Sequence, residues 1–278
     1  MHLLAAITHT TGEPSIDGVV LGQRQVTVKT SEIAWFAPLL DGIGLAGRVV
    51  TADALHTTRE HAIYLHQRGA YYVFTVKENQ HRLYGLLDTL PWHEIPTYAT
   101  SGTDHGRTER RIVQLAPLGD YLGYPAIDFP HATHAFLIER YTTQHTSGKH
   151  SAYAALGLTS LPSQHAHPAQ VADYVRNHWH IENRLHWVRD VTYTEDHSRV
   201  RTGNAPRVMA SLRNLAISAL RHHGWDNIAQ GLRHMDATPP DHSPCSESPP
   251  DNQNDFADPL PGVGDCFKIG VSGLTRRE

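Results

Sequence analysis

The sequence predicts an α/β protein in which a mixed or parallel sheet carries helices on its faces and is interrupted by a β-rich stretch. Three observations predict it. Residues 1–80 alternate strand-like and helix-like patterns, residues 81–162 carry successive strand-like runs separated by turns, and residues 163–235 are helix-periodic.

In order, Leu3–Ile7 is a short apolar run, and Val19–Val28 (VVLGQRQVTV) is a second strand, partly alternating. Ser31–Ile43 reads as a helix with Leu39 and Leu40 inward, bent or interrupted by Pro38. Gly47–Ala54 (GRVVTADA) is a strand of the continuous apolar kind that is buried on both faces. Thr57-x-x-Glu60 has the form of a capping box, opening a helix that Gly69 closes. Tyr71–Val76 (YYVFTV) is the next strand. Arg110–Leu115, Thr133–Tyr141 and Tyr153–Leu158 are the strands of the β-rich stretch, separated by turn sequences such as GYP and TSGKH. Pro168–Arg189 places Val171, Tyr174, Val175, His178, Glu182 and Leu185 on one helical stripe. Asn204–His222 forms a second helix through Val208, Leu212, Leu215, Ile217 and Leu220. Residues 236–278 open with TPPDHSPCSESPPDNQNDF after Ala237, rich in Pro, Ser, Asp and Asn, and are expected to be a disordered tail.

Composition narrows the function classes. No charge-free run approaches the roughly 20 residues that span a bilayer. The start has no positive n-region or small-residue cleavage signal, so no export is expected. Cys245 and Cys266 imply no disulfide framework, which fits a reducing cytoplasm. The net charge of −4 conceals an uneven distribution. From Asp236 onward there are eight acids and three bases, whereas His197–Met235 holds six arginines (199, 201, 207, 213, 221, 233) against Asp226 alone. That basic stretch is a candidate phosphate-facing surface, set against the alternative of an ordinary solvated face.

Two acidic residues stand where a bland fold would place apolar ones. Asp53 closes an apolar strand, and ligands of open α/β sheets gather outside the carboxyl ends of strands. A helix cap is the simpler reading of Asp53. Glu182 falls on the inward stripe of its helix, where an unpaired carboxylate costs several kcal/mol. A salt bridge or a divalent metal would offset that cost. A pair of carboxylates is what metal-dependent phosphoryl transfer requires. Asp190 and Asp196, just past the same helix, read as caps, with acids that support the site from behind as the lesser alternative. His178, Glu182 and His186 share a helical face at spacings of four and form an outside candidate for zinc, but His-Glu-x-x-His is absent. There is no Gly-x-Ser-x-Gly elbow and no P-loop.

The segments GRVVTADALHTTREHAIYLHQRGAYYVFTVKENQ, HGRTERR and HWHIENRLHWVRDVTYTEDHSRVRTGNAP resemble the ISAs-type, or H-repeat-associated, insertion-sequence transposases, from about His2 to Met235. That bacterial family belongs to the DDE superfamily. The resemblance implies an RNase H-like core, with Asp53 and Glu182 as the second and third catalytic carboxylates and the β-rich stretch as an insertion between them. It implies two Mg²⁺ ions as cofactors, the element's terminal repeats and target DNA as partners, and a homodimer as a plausible assembly. The family's first aspartate lies in an Asp-Gly-Lys motif one strand before the segment matching HLLAAITH. Asp17-Gly18 imitates it in two letters only. The expectation is a truncated, catalytically defective copy, with a non-catalytic DNA-binding remnant as the alternative. Lys77, Arg107, Arg110, Arg111, Arg189, Arg199 and Arg201 are candidate DNA contacts, with a solvated strand end as an equal reading of Lys77. Trp179 and Trp187 are expected in the core, with base stacking as the lesser reading.

Overall fold

The structure, a computed structural model, describes residues 2–10, 18–26, 32–104, 106–119, 126–178, 181–237 and 265–273. Its centre is β3 (Val49–Ala52), four residues buried on both faces, as the continuous run VVTA requires of a strand with layers above and below. Before it come β1 (His2–Thr10), β2 (Val20–Val26) and a short helix α1 (Phe36–Leu40). Pro38 sits inside α1, and the helix stops at Leu40, well short of the Ser31–Ile43 reading. Leu39 and Leu40 are buried as expected.

After β3, α2 (Arg59–Gln67) leads to β4 (Tyr71–Val76). The cap of α2 is Thr58, whose hydroxyl accepts the His61 N–H at 3.2 Å; the predicted capping residue Thr57 is one position too early. Thr57 instead donates its hydroxyl to the Thr75 carbonyl at 2.7 Å. Gly69 follows the helix at φ +67°, a left-handed conformation that glycine adopts without a Cβ penalty.

Then follow α3 (His81–Asp88), β5 (Thr97–Asp104), β6 (Arg107–Pro117), β7 (His134–Gln144) and β8 (His150–Thr159). The sequence patterns missed α3 and β5, and shortened the other three strands. α4 (Pro168–His178) is followed by two π turns, Glu182–His186 and Val188–Thr192. α5 (Ala205–His222), α6 (Ile228–Ala237) and β9 (Asp265–Gly273) complete the described chain.

Nine strands form one mixed sheet in the order β2-β1-β9-β3-β4-β8-β7-β6-β5. β9, β3 and β4 are mutually parallel in sequence, and every other neighbouring pair is antiparallel. One face buries Leu4, Val50, Ala52 and Phe74 against Phe36, Leu40, Leu65 and Leu87 of α1–α3. The other buries Val49, Val73 and Phe136 against Val171 and Tyr174 of α4. At the same face Ala5 and Ile7 meet Leu185, Ile217 and Leu220. This is the mixed sheet flanked by helices of an RNase H-like core. The β-rich stretch is not a separate layer, because β8 pairs directly with β4 and extends the same sheet.

Two expectations need correcting. α5 turns Ala210, Asn214 and Ile217 inward, and Ser218 accepts the Val20 N–H of β2 at 3.0 Å. Val208, Leu212 and Leu215 therefore lie outward, at 51%, 52% and 67% exposure. The helix uses small and polar residues because β2 (VLGQRQV) presents hydrogen-bonding groups; Asn214 donates to the Gln23 side chain at 2.7 Å. The second correction concerns the tail. Asp265–Gly273 is not disordered but a strand, since backbone pairing between β1 and β3 supplies what its composition lacks. Residues 238–264 lie outside the described residues. No helix among the described residues is long and apolar enough to cross a membrane.

Gly157 shows how tightly β8 sits. A Cβ there would run into the ring of Phe136, its partner on β7, and into the Phe74 carbonyl of β4. Gly157→Ala is expected to destabilise the chain by about 1–3 kcal/mol or more, the usual range for overpacking a core. A urea midpoint unchanged from wild type would refute this packing.

Candidate active site

The carboxyl ends of β3 and β4 build the site. Strand alternation assigns Val49, Thr51 and then position 53 to the face that α4 covers, and Asp53 is the first residue beyond the strand. Its Oδ1 accepts the Leu55 N–H at 3.0 Å, which fixes the turn, and its carbonyl accepts the His56 N–H at 3.0 Å. The loop is then tied to the end of β4. Thr57 bonds the Thr75 carbonyl, Asn79 donates to the Ala54 carbonyl at 3.1 Å, and Gln80 donates to the Thr57 carbonyl. Asp53 is thus held by its neighbours and is not a helix cap, a role that falls to Thr58.

β8 outlasts β4. Their pairing ends at Val76–Leu156, so Tyr153–Ala155 run on past the end of β4 as a wall. The result is a cleft of about 550 Å³ lined by Asp53, Lys77, Asn79, Tyr84 and Tyr153 among others. Lys77 therefore shares a cleft with Asp53, as a phosphate-facing group would.

α4 packs across β3 and β4 and ends at His178. His56, wholly buried behind Asp53, lies within electrostatic reach of Asp53, His61 and His178. Burial lowers the His56 pKa from its ordinary 6.5 to about 4; Asp53 opposes that shift, while His61 and His178 add to it. His178 is also within reach of Glu182. His178 thus lies between the two in electrostatic terms, sensed by His56 on one side and by Glu182 on the other. Sequence reading passed over His56, although its position three residues beyond Asp53 in DALH was the available signal.

Glu182 differs from its expectation. It is not on a buried stripe; its side chain is 56% exposed and its Oε2 receives the His186 Nδ1 at 3.1 Å. That hydrogen bond, with the charges of His186 and His178, holds the Glu182 carboxyl below its usual range against the opposing effect of burial. The physical reason lies in the backbone. From Glu182 the chain takes i→i+5 turns, so neighbours such as Leu185 and His186 face inward together and the stripe projected from α4 no longer applies.

Arg189 also departs from expectation. It is 2% exposed and its guanidinium grips Glu195 at 2.5 and 2.8 Å, while Arg213 reaches the same carboxylate at 3.3 Å. This buried ion cluster links the second π turn to α5 and leaves Arg189 no access to DNA. Asp190 lies inside the second π turn and so caps no helix; burial, then Asp196 and Glu195, raise its pKa. Arg107, Arg110, Arg199 and Arg201 are exposed, and Arg111 is committed to Glu109 at 2.6 Å. Trp187 is exposed, contrary to the core placement. Asp17 and Trp179 lie outside the described residues. Among the described residues no three His, Cys, Asp or Glu side chains gather as a metal-holding group, so His178, Glu182 and His186 are not a zinc site.

The sequence profile of the family described as "Transposase DDE domain" matches residues 1–219. The chain belongs to the DDE transposase family. Among its relatives in Escherichia coli K12, "Putative protein YbfL" is 28% identical over 242 residues, covering 79% of this chain and 58% of the relative. The same figures apply to "H repeat-associated putative transposase YhhI". "Putative transposase YncI" of Escherichia coli O157:H7 is 28% identical over 211 residues, 74% of this chain and 54% of its own length. The chain therefore spans just over half the length of these relatives. The transposase match takes in Asp53, the cleft, α4 and Glu182, and ends before α6 and β9.

Two predictions come from these charges. The unfolded chain takes up a proton on His56 below about pH 6.5 that the folded chain refuses until about pH 4. The His56 contribution should be neutral above pH 6.5, cost about 3 kcal/mol as pH drops toward 4, and level off below, where the depressed Glu182 carboxyl adds its own loss. Urea midpoints against pH should show a shallower fall in His56→Leu, with a residue left by His61, whose pKa burial also lowers. An identical fall in the variant would remove His56 as the source. Separately, Glu195→Gln leaves two arginines without their shared carboxylate and should cost about 3–5 kcal/mol. Thermal melts showing no loss would mean that the cluster contributes nothing.

Proposed function

We propose that this chain supplies the Asp53 and Glu182 carboxylates to an insertion-sequence transposase, for metal-dependent cleavage and joining at the ends of its own element. The observation that carries the reading is the placing of Asp53 and Lys77 in one cleft at the strand ends, with the α4 segment that leads to Glu182 laid over the same strands.

The donor chemistry suits magnesium. Asp53 and Glu182 offer oxygen atoms, which Mg²⁺ prefers, and the exposed Glu182 carboxylate is open to a ligand on its solvent side. When bound, a metal pair stabilises the attacking and leaving oxygens of an in-line displacement at phosphorus. The residues of this chain do the positioning. The Leu55 N–H orients Asp53, His186 orients Glu182, and Lys77 faces a phosphate that enters the cleft. Arg107, Arg199 and Arg201 are exposed cations suited to the DNA backbone beyond it.

A second reading has its own support. It is a chain that binds DNA without cutting it, and its support is that no group of three His, Cys, Asp or Glu side chains among the described residues is placed to hold a metal. One experiment separates the two. Oligonucleotides carrying the element ends are incubated in Mg²⁺ or Mn²⁺ with the chain, and with a version extended upstream through an Asp-Gly-Lys motif. The short chain should bind with an affinity that drops steeply as salt rises, and should not cleave. The extended chain should cleave, and Asp53→Asn or Glu182→Gln in it should each reduce the rate by about two to three orders of magnitude. Cleavage by the short chain would show a third carboxylate to be dispensable. Unimpaired cleavage by the extended Glu182→Gln form would remove Glu182 from the site.

A further inference from the structure

β9 is out of place by sequence and central by position. It pairs with β1 along nine positions, from His2–Gly273 to Thr10–Asp265, and with β3 along four, from Val49–Cys266 to Ala52–Ile269. Among the described strands nothing else joins β1 and β2 to the rest of the sheet. The slot it fills is demanding. Leu3–Ile7 on one side and Val49–Ala52 on the other are buried, and their facing backbone groups need partners.

The occupant is far less specific than the slot. A strand buried in mid-sheet usually reads as a continuous apolar run, yet DCFKIGVSG carries Asp265, Lys268, Ser272 and two glycines. Its connection is also long. α6 ends at Ala237 and β9 begins at Asp265, so residues 238–264 intervene. Fully extended, that stretch reaches roughly 90 Å. The transposase match ends at residue 219, so the strand completing this sheet is not part of the matched domain.

We propose that the slot between β1 and β3 is a strand-exchange site, filled by β9 of the same chain or reciprocally by β9 of a second copy, giving a domain-swapped dimer. The backbone ladder is identical in both states, so the competition is set by concentration. A tether of this kind gives an effective concentration on the order of millimolar. Dilute protein therefore keeps its own strand, and chains refolded together at high concentration trade strands. This holds whether or not Asp53 and Glu182 act in cleavage.

The test uses the register. In a full-length Cys245→Ser chain, His9→Cys stands directly opposite Cys266, where antiparallel partners lie about 4.5–5.5 Å apart, within disulfide reach. Oxidation after refolding at about 1 µM should give only monomers bridged internally, and after refolding at about 500 µM a mixture in which covalent dimers bridged 9-to-266 between chains accompany those monomers. Internal bridges alone at both concentrations would overturn the exchange; absence of any bridge in folded protein would overturn the slot itself. Because His9→Cys could disturb β1, the unsubstituted chain is tested as well. Equal amounts of ¹⁴N- and ¹⁵N-labelled chains, denatured and refolded together at the higher concentration, should give heterodimers in statistical proportion by native mass spectrometry. Ile269→Pro, which removes a backbone donor from β9, should abolish them. Heterodimers that survive Ile269→Pro would place the contact elsewhere and defeat the proposal.

Discussion

The parallel pairing of β3 with β4 is the constraint on which the site depends. β3 has only four residues, all buried, and its partner runs two residues further before the chain leaves the sheet. Both strands end on the same side, so the residues that follow them, Asp53 and Lys77, emerge together. Parallel strands require a crossover, and α2 supplies it on the face opposite α4. The Thr57–Thr75 hydrogen bond closes the arrangement by tying the loop after β3 to the last turn of β4. If that bond and its neighbours at Ala54 and Thr57 were lost, Asp53 would remain at a strand end but without a fixed direction.

Much of this was legible in the sequence, for a physical reason. A strand buried on both faces must be apolar throughout, so VVTA and YYVFTV announced themselves, and Tyr71–Val76 was placed to the residue. Asp53 stood out because it broke such a run. What was not legible depended on partners far along the chain. α5 offered an apolar stripe through Val208, Leu212 and Leu215, but the sheet surface beneath it wanted Asn214 and Ser218 for hydrogen bonds. Arg189 looked like a surface cation because its buried partner, Glu195, is set by the fold of the turn between them. β9 was hidden for the same reason: nothing in DCFKIGVSG reveals a vacancy between two strands more than 200 residues away.

Cation placement differs from one part of the molecule to another. Buried Arg189 shares the Glu195 carboxylate with Arg213, because an unpaired buried charge is costly, whereas buried Arg221 donates to the Arg184 carbonyl. Where they stand in the sheet, Glu109 neutralises Arg111 beside Arg140, which faces it across β6 and β7. The exposed arginines, 107, 199 and 201 among them, lie outside these clusters and are the ones with charge available to a phosphate backbone. Sequence counting had treated all of these alike. The structure divides them by whether an acid reaches them.

The change from α to π turns explains how one segment can both anchor and present. In α4, Val171 and Tyr174 press onto the sheet at ordinary helical spacing. The wider turns that follow put Leu185 with His186, and Val188 with Arg189, on the buried side as adjacent pairs. Each pair couples an apolar residue that packs with a polar one that bonds: His186 to Glu182, Arg189 to Glu195. An α-helical continuation would have sent Glu182 inward with Leu185 and stranded a carboxylate in the core. With π turns, Glu182 reaches solvent while its carboxylate is steered from below by a buried imidazole. The rare backbone form thus reconciles an exposed acid with a helical segment that stays packed.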